Sequence, residues 1–114
     1  MQTIKKTIKL NKKDYYVKHL LLINNILPVQ ISNKQAEVLG CFMEIEGNID
    51  PFSTSGRKIV RDNLAISSGG LGNHLDELCR KGFIIKHKET YKILPILIPD
   101  KQNQTYQFTL QNEI

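Results

Sequence analysis

The sequence predicts an α+β fold that is mainly α-helical, in which an N-terminal helix precedes the main domain and a β-hairpin ends it. Helix caps and apolar residues at helical spacing recur up to residue 82, and strand-like patterns follow it. The length of 114 residues fits one domain, in which 40% hydrophobic residues suffice for a modest core without disulfides. One globular unit is therefore expected, with a basic arm or strand and the N-terminal helix at 1–30 and the main domain at 31–114.

A basic segment precedes the first helix. Residues 3–10, TIKKTIKL, place apolar side chains among lysines, which is typical of a short strand or a basic arm. Asp14 is a candidate N-cap for a helix that extends to about Asn25. Pro28 ends this segment because the residue before a proline disfavours helical backbone.

Two further helices are predicted from their caps and their spacing. Ser32 and Gln35 match a capping box, in which each side chain bonds the backbone of the other residue at the helix start. Apolar residues at helical spacing continue this second helix up to Gly47. Turn-forming residues then predict a loop at 47–56. A third helix is expected at 57–64, capped by one of three residues: Ser53, Thr54 or Ser55.

Three leucines predict the fourth helix. Leu71, Leu75 and Leu78 have the spacing i, i+4, i+7, which places them on one buried face of a helix over 68–81. Gly82 is suited to the left-handed residue that often ends a helix.

The last third of the chain predicts strands. Residues 83–85 are expected to form one strand, and residues 91–98 form a strand-rich segment that Pro95 interrupts. Apolar and polar residues alternate at 106–110, as in a half-buried strand. The polar turn at 99–104 lies between these two segments, so Lys101 and Asn103 are expected at the tip of a hairpin.

The stretch ISSGGLGNHLDELCRKGFI, residues 66–84, resembles the winged helix-turn-helix domain of MarR-like regulators. Its apolar and glycine frame matches at six positions: Ile66, Leu71, Leu75, Leu78, Gly82 and Ile84. The resemblance covers about residues 32–110. It implies sequence-specific or structural binding of double-stranded DNA, with helix 68–81 in the major groove, and a role in transcription regulation.

The resemblance also indicates which residues would contact DNA. On the fourth helix these are Ser67, Ser68, Gly70, Asn73, His74 and Glu77. The DNA backbone would be held by Arg57, Lys58 and Arg61 on the preceding helix and by Lys101 and Asn103 at the wing tip. Asn73 departs from the pattern, since relatives often have Arg or Lys there, although Asn can read adenine. The helix has no net charge, so phosphate contacts must come from the flanking basic residues.

Three glycines at the start of this helix raise a separate question, because each glycine inside a helix costs roughly 0.5–1 kcal/mol relative to alanine. In one interpretation, Ser67 or Ser68 caps the helix and the small residues admit a DNA backbone to its open amide groups. In the other, Gly69 and Gly70 form only a turn, and the helix begins at about Gly70.

Other chemistry is not indicated. The histidines and cysteines lack zinc-ligand spacing, and the phosphate-loop pattern and catalytic triads are missing, so neither an enzyme nor a cofactor or metal is expected. No apolar run reaches about 18 residues, so no membrane partner is expected. Cys41 and Cys79 fall at apolar helix positions, which favours reduced thiols and the cytoplasm of a bacterial or phage-infected cell.

An alternative function is a winged-helix protein-interaction module, such as an adaptor or a packaging component of a phage particle. The neutral fourth helix favours it, and the composition rich in Lys, Asn and Ile suits phage-like viral genomes. A homodimer is also possible, through the apolar residues 20–23 of the first helix.

Overall fold

The computed structural model describes residues 2–45 and 47–113; the outer bounds of the two predicted units, residues 1 and 114, lie outside this part. Within it the fold is α+β and mainly helical, as the sequence predicts. The elements are α1 (Lys12–Ile23), α2 (Asn33–Glu44), α3 (Thr54–Leu64), α4 (Ser68–Arg80), β1 (Ile84–His87) and β2 (Thr90–Ile93), with 3₁₀ turns at Asn24–Ile26 and Pro95–Leu97.

Helices α1 and α2 form an antiparallel pair. Their contact is close at Gly40, where a Cβ atom would lie 2.9 Å from Cγ2 of Val17. The N-cap of α1 is Asn11, whose side chain accepts a hydrogen bond from the amide of Asp14 at 2.8 Å. The prediction that Asp14 caps this helix is therefore wrong, because a better placed acceptor lies three residues earlier.

The apolar side of α1 belongs to the core of the same chain. Leu20 is fully buried and Ile23 is 9% exposed, and both lie in one cluster with buried residues of α2, α3, α4 and the hairpin. Packing against the rest of the chain therefore already covers these two side chains, whereas Leu21 and Leu22 are half-buried, and a homodimer through this helix stays a prediction.

The helix starts follow the serine caps. At α2 both bonds of the predicted capping box are present, between Ser32 and Gln35. Helix α3 begins at Thr54, three residues earlier than predicted, because the Ser53 hydroxyl accepts from the Gly56 amide at 3.2 Å. A Cβ at Gly56 would lie 2.0 Å from the carbonyl oxygen of Pro51, so only glycine fits this close turn.

Helix α4 agrees with its prediction in extent and orientation. Leu71, Leu75 and Leu78 are all at most 3% exposed. Gly82 has φ +83°, the left-handed conformation expected where the chain leaves the helix.

The β-hairpin differs from the predicted one. Strands β1 and β2 pair antiparallel from Ile84 opposite Ile93 to His87 opposite Thr90, so the turn is the two residues Lys88 and Glu89. Lys88 has φ +56°, which supplies the left-handed backbone that short hairpin turns need. The predicted pairing of 91–98 with 106–110 is wrong, because Pro95 starts a 3₁₀ turn and residues 103–113 form no strand. Three helices followed by a hairpin do not by themselves establish a winged helix.

Hydrogen bonds from α1 hold the segment that follows this 3₁₀ turn. His19 is 5% exposed, and its Nε2 lies 2.8 Å from the carbonyl oxygen of Leu97. A carbonyl only accepts, so Nε2 carries the proton and Nδ1 accepts from the Tyr106 hydroxyl at 2.5 Å. Tyr15 donates to the carbonyl oxygen of Asp100. These hydrogen bonds hold three points of the segment 97–106 against α1.

Candidate nucleic-acid interface

The side of α4 opposite its leucines is open to solvent. Gly69, Asn73, Asp76 and Arg80 are exposed on this side. Ser68 is exposed because it begins the helix, and Gly70 and His74, which are closer to the leucine side, are half-buried. Since Leu71, Leu75 and Leu78 are turned into the core, this side is the one that can meet a partner without disturbing the fold.

The three glycines lie inside α4, so the interpretation of Gly69 and Gly70 as a turn before the helix is wrong. Ser67 caps the helix, and its hydroxyl accepts from the Gly70 amide at 3.0 Å. A Cβ at Gly69 or Gly72 would meet no atom within 4 Å. The packing of the chain therefore gives no reason for glycine at these two positions, unlike at Gly40 and Gly56.

The charged residues of α4 leave no positive excess, since Asp76 and Glu77 outnumber Arg80. Glu77 forms an ion pair with Arg80 one turn later, and this bond to the guanidinium holds the pKa of Glu77 below its usual value. Asp76 is exposed beside this pair. Glu77 is thus engaged within its own helix rather than presented to a cytosine, and α4 offers no excess positive charge to phosphate.

Positive charge is concentrated instead around Tyr91 of β2. The guanidinium carbon of Arg57 lies 5.1 Å from the centre of the Tyr91 ring, and Nζ of Lys86 lies 5.4 Å from it. Arg57 is fixed by a bond from its Nε to the carbonyl oxygen of Phe52 at 2.9 Å. No carboxylate in residues 2–45 or 47–113 forms an ion pair with either cation. We call Arg57, Lys86 and Tyr91 the Tyr91 cluster.

The Tyr91 cluster lies close to α4. Burial raises the pKa of the Cys79 thiol on α4, and the nearby positive charges of Lys86 and Arg57 act in the opposite direction. Arg57 belongs to α3 and Lys86 to β1, and both of these elements contact α4.

The other predicted backbone contacts differ in their surroundings. Lys58 is exposed and pairs with Asp62 at 3.3 Å, one turn along α3. Arg61 is half-buried, and within the described chain no carboxylate pairs with it.

Lys101 and Asn103 are not at the tip of the hairpin, contrary to the prediction. They belong to a turn around Asp100, whose side chain accepts from the amides of Gln102 and Asn103 at 2.9 and 3.1 Å. The Tyr15 bond to the Asp100 carbonyl attaches this turn to α1 instead.

Sequence reasoning missed the basic residues that the hairpin does present. Lys86, Lys88 and Lys92 are all exposed on the two strands and their turn. The signal was the stretch KHKETYK, in which lysines surround a two-residue turn. Lys88 and Glu89 are not a typical pair for a hairpin turn, whereas the polar residues 99–104 are typical of a turn, so the sequence pattern favours the wrong turn.

Other kinds of site lack support in the described residues. No group of three or more His, Cys, Asp or Glu side chains there is placed to hold a metal ion. Cys41 and Cys79 are both free thiols. Among residues 2–45 and 47–113, no helix combines the length and the apolar character that crossing a membrane requires.

Comparison with protein-family models, with curated proteins and with solved structures found no match to this chain.

Proposed function

We propose that the chain binds double-stranded DNA, as a winged helix-turn-helix regulator of transcription in the cytoplasm, with α4 in the major groove. The observation that carries the proposal is the open start and open side of α4, where the exposed Ser68, Gly69 and Asn73 are short side chains while the leucine side is fully packed. Short side chains at a helix start let its amide groups approach phosphate or base edges closely.

Base contacts and backbone contacts are divided between elements in this proposal. Asn73 and His74 on α4 face the base edges, and an Asn side chain can bond adenine through both of its polar atoms. Affinity comes from cations that neutralise phosphates, which α4 does not supply. The Tyr91 cluster and the hairpin lysines provide them beside α4.

Fluorescence anisotropy of a labelled duplex at several salt concentrations tests the proposal. Wild-type protein should bind at about 50 mM salt and weaken steeply as salt rises. The salt slope is the slope of the logarithm of the binding constant against the logarithm of the salt concentration. The double variant Arg57→Gln with Lys86→Gln should reduce its magnitude by about 1.8, at about 0.9 for each lost phosphate contact. Lys34→Gln is the matched control, since Lys34 is exposed on α2 and pairs with Glu37. Absence of salt-dependent binding by the wild type would refute the proposal.

A second candidate function is a protein-interaction module, such as an adaptor or a phage packaging component. The acidic residues on α4 favour it, because Asp76 is exposed and Glu77 forms an ion pair with Arg80, which is the one basic residue of this helix. Light scattering after size exclusion, together with retention on immobilised duplex DNA, separates the two. A stable complex with another protein and no retention on DNA supports the module, whereas retention that salt abolishes supports DNA binding.

A further inference from the structure

We propose that residues 2–11, here called the arm, form a second contact with the same DNA by binding its phosphates. This inference rests on the proposed DNA binding and adds a surface that is separate from α4 and from the Tyr91 cluster.

The arm begins the most basic part of the chain. Five lysines and no acidic residue precede Asp14, so this stretch alone has a charge of +5, equal to the formal net charge of the whole chain. Three of the five, Lys5, Lys6 and Lys9, lie in the arm itself. Clusters of cations along one segment are suited to a polyanion, because each phosphate contact releases counterions from the DNA.

Within the described chain the arm forms no regular structure, and only its last residue, Asn11, is used by the fold, as the cap of α1. Residues 2–11 are all exposed and belong to no helix or strand. Ile4 is 85% exposed and Ile8 is 61% exposed, so apolar packing does not hold the arm against the body. Lys5, Lys6 and Lys9 form no ion pair with any described carboxylate. Their charges are therefore available to an external anion.

The attachment point of the arm lies beside the C-terminal half of α3, the helix that precedes α4. The arm leads into Lys12, which lines a cavity of about 200 Å³ together with Ile59 and Asn63 of α3. Asn63 is in the last turn of α3, directly before the turn that leads to the Ser67 cap of α4. Ten extended residues span roughly 33 Å, so the arm can reach phosphates well beyond the end of α4.

The arm and the Tyr91 cluster supply charge at opposite ends of α3. Arg57 lies in the first turn of this helix and Asn63 in its last turn. Six residues along a helix correspond to about 9 Å. Helix α4 follows α3 in the chain and has no positive excess of its own. Two separated groups of cations can contact phosphates on both sides of the groove that α4 enters. This placement favours DNA over an anionic membrane as the partner of the arm.

The test compares three proteins in the duplex-binding titration against salt. The charge-removing variant is Lys5→Gln, Lys6→Gln and Lys9→Gln, and its matched control is the charge-keeping variant Lys5→Arg, Lys6→Arg and Lys9→Arg. If all three lysines contact phosphates, the Gln variant should lose up to about 2.7 from the salt slope, at about 0.9 per contact. The Arg variant should keep the wild-type slope. Thermal melting should be unchanged in both, since the three side chains are exposed.

The possible failures can be distinguished. A Gln variant with the wild-type slope and affinity, while the wild type binds DNA, overturns the arm contact but leaves the proposed function standing. A wild type that shows no salt-dependent binding overturns both. Sedimentation with vesicles that contain phosphatidylserine tests the alternative partner. If the wild type binds these vesicles more tightly than duplex DNA, and the Gln variant does not bind them, a membrane is the partner and the inference is wrong.

Discussion

Replacing Gly72, a residue inside α4, by alanine should stabilise the protein. A Cβ at Gly72 meets no atom within 4 Å, so alanine introduces no clash. Alanine should then add about 0.5–1 kcal/mol of stability, because glycine loses more backbone freedom on folding. In a domain of this size that gain raises the melting temperature by roughly 2–6 °C. Thermal unfolding followed by circular dichroism measures it.

Matched controls come from glycines that the packing does explain. Gly40→Ala should destabilise the protein, because the new Cβ would lie 2.9 Å from Cγ2 of Val17 and force α1 away from α2. Gly56→Ala should destabilise it more, since the obstacle is the backbone carbonyl of Pro51. A lower melting temperature for Gly72→Ala would refute the reasoning, because it would mean that the chain itself requires glycine there.

The corresponding change at Gly69 separates stability from function, because Gly69 is exposed on the open side of α4. A Cβ there also meets no atom within 4 Å, so Gly69→Ala should not lower the melting temperature. If a DNA backbone approaches α4 closely, the same variant should weaken duplex binding, and wild-type binding by a stable Gly69→Ala protein would contradict the close approach.

Two other predictions concern the core and the C-terminal segment. Leu78→Ala should destabilise the protein by about 2–5 kcal/mol in urea unfolding, since Leu78 is fully buried, whereas a value below about 1 kcal/mol would contradict its burial. Burial lowers the pKa of His19 from its ordinary value of 6.5, and the bond to the Leu97 carbonyl only partly opposes this. The neutral form is therefore the one that the fold favours, so its contribution is fully present above pH 6.5 and is lost as pH falls toward the lowered pKa. The stability of the wild type relative to His19→Gln should decrease from pH 7 to pH 5, and a pH-independent difference would show that His19 does not titrate in this way.

Local signals in the sequence predicted the parts of the fold that depend on neighbouring residues. The Ser32 and Gln35 capping box, the leucines of α4 and the left-handed Gly82 each follow from residues within one or two turns. The hairpin was misplaced because its turn uses Lys88 in a left-handed conformation, which a lysine does not indicate in a sequence.

The site was less accessible to sequence reasoning for a different reason. The Tyr91 cluster joins Arg57 of α3 to Lys86 and Tyr91 of the hairpin, and His19 meets Tyr106 across most of the chain. Contacts over such separations depend on how the elements pack, which no local pattern records. The basic residues are evident in the sequence, but their grouping in space is not.

Amide signals of α4 during titration with a DNA duplex test the central claim most directly. The account predicts that the signals of Gly69, Gly70 and Asn73 shift or broaden as DNA is added, while those of Ile26 and Ile96 stay unchanged. Unchanged signals throughout α4, in the presence of DNA that the protein demonstrably binds, would contradict it.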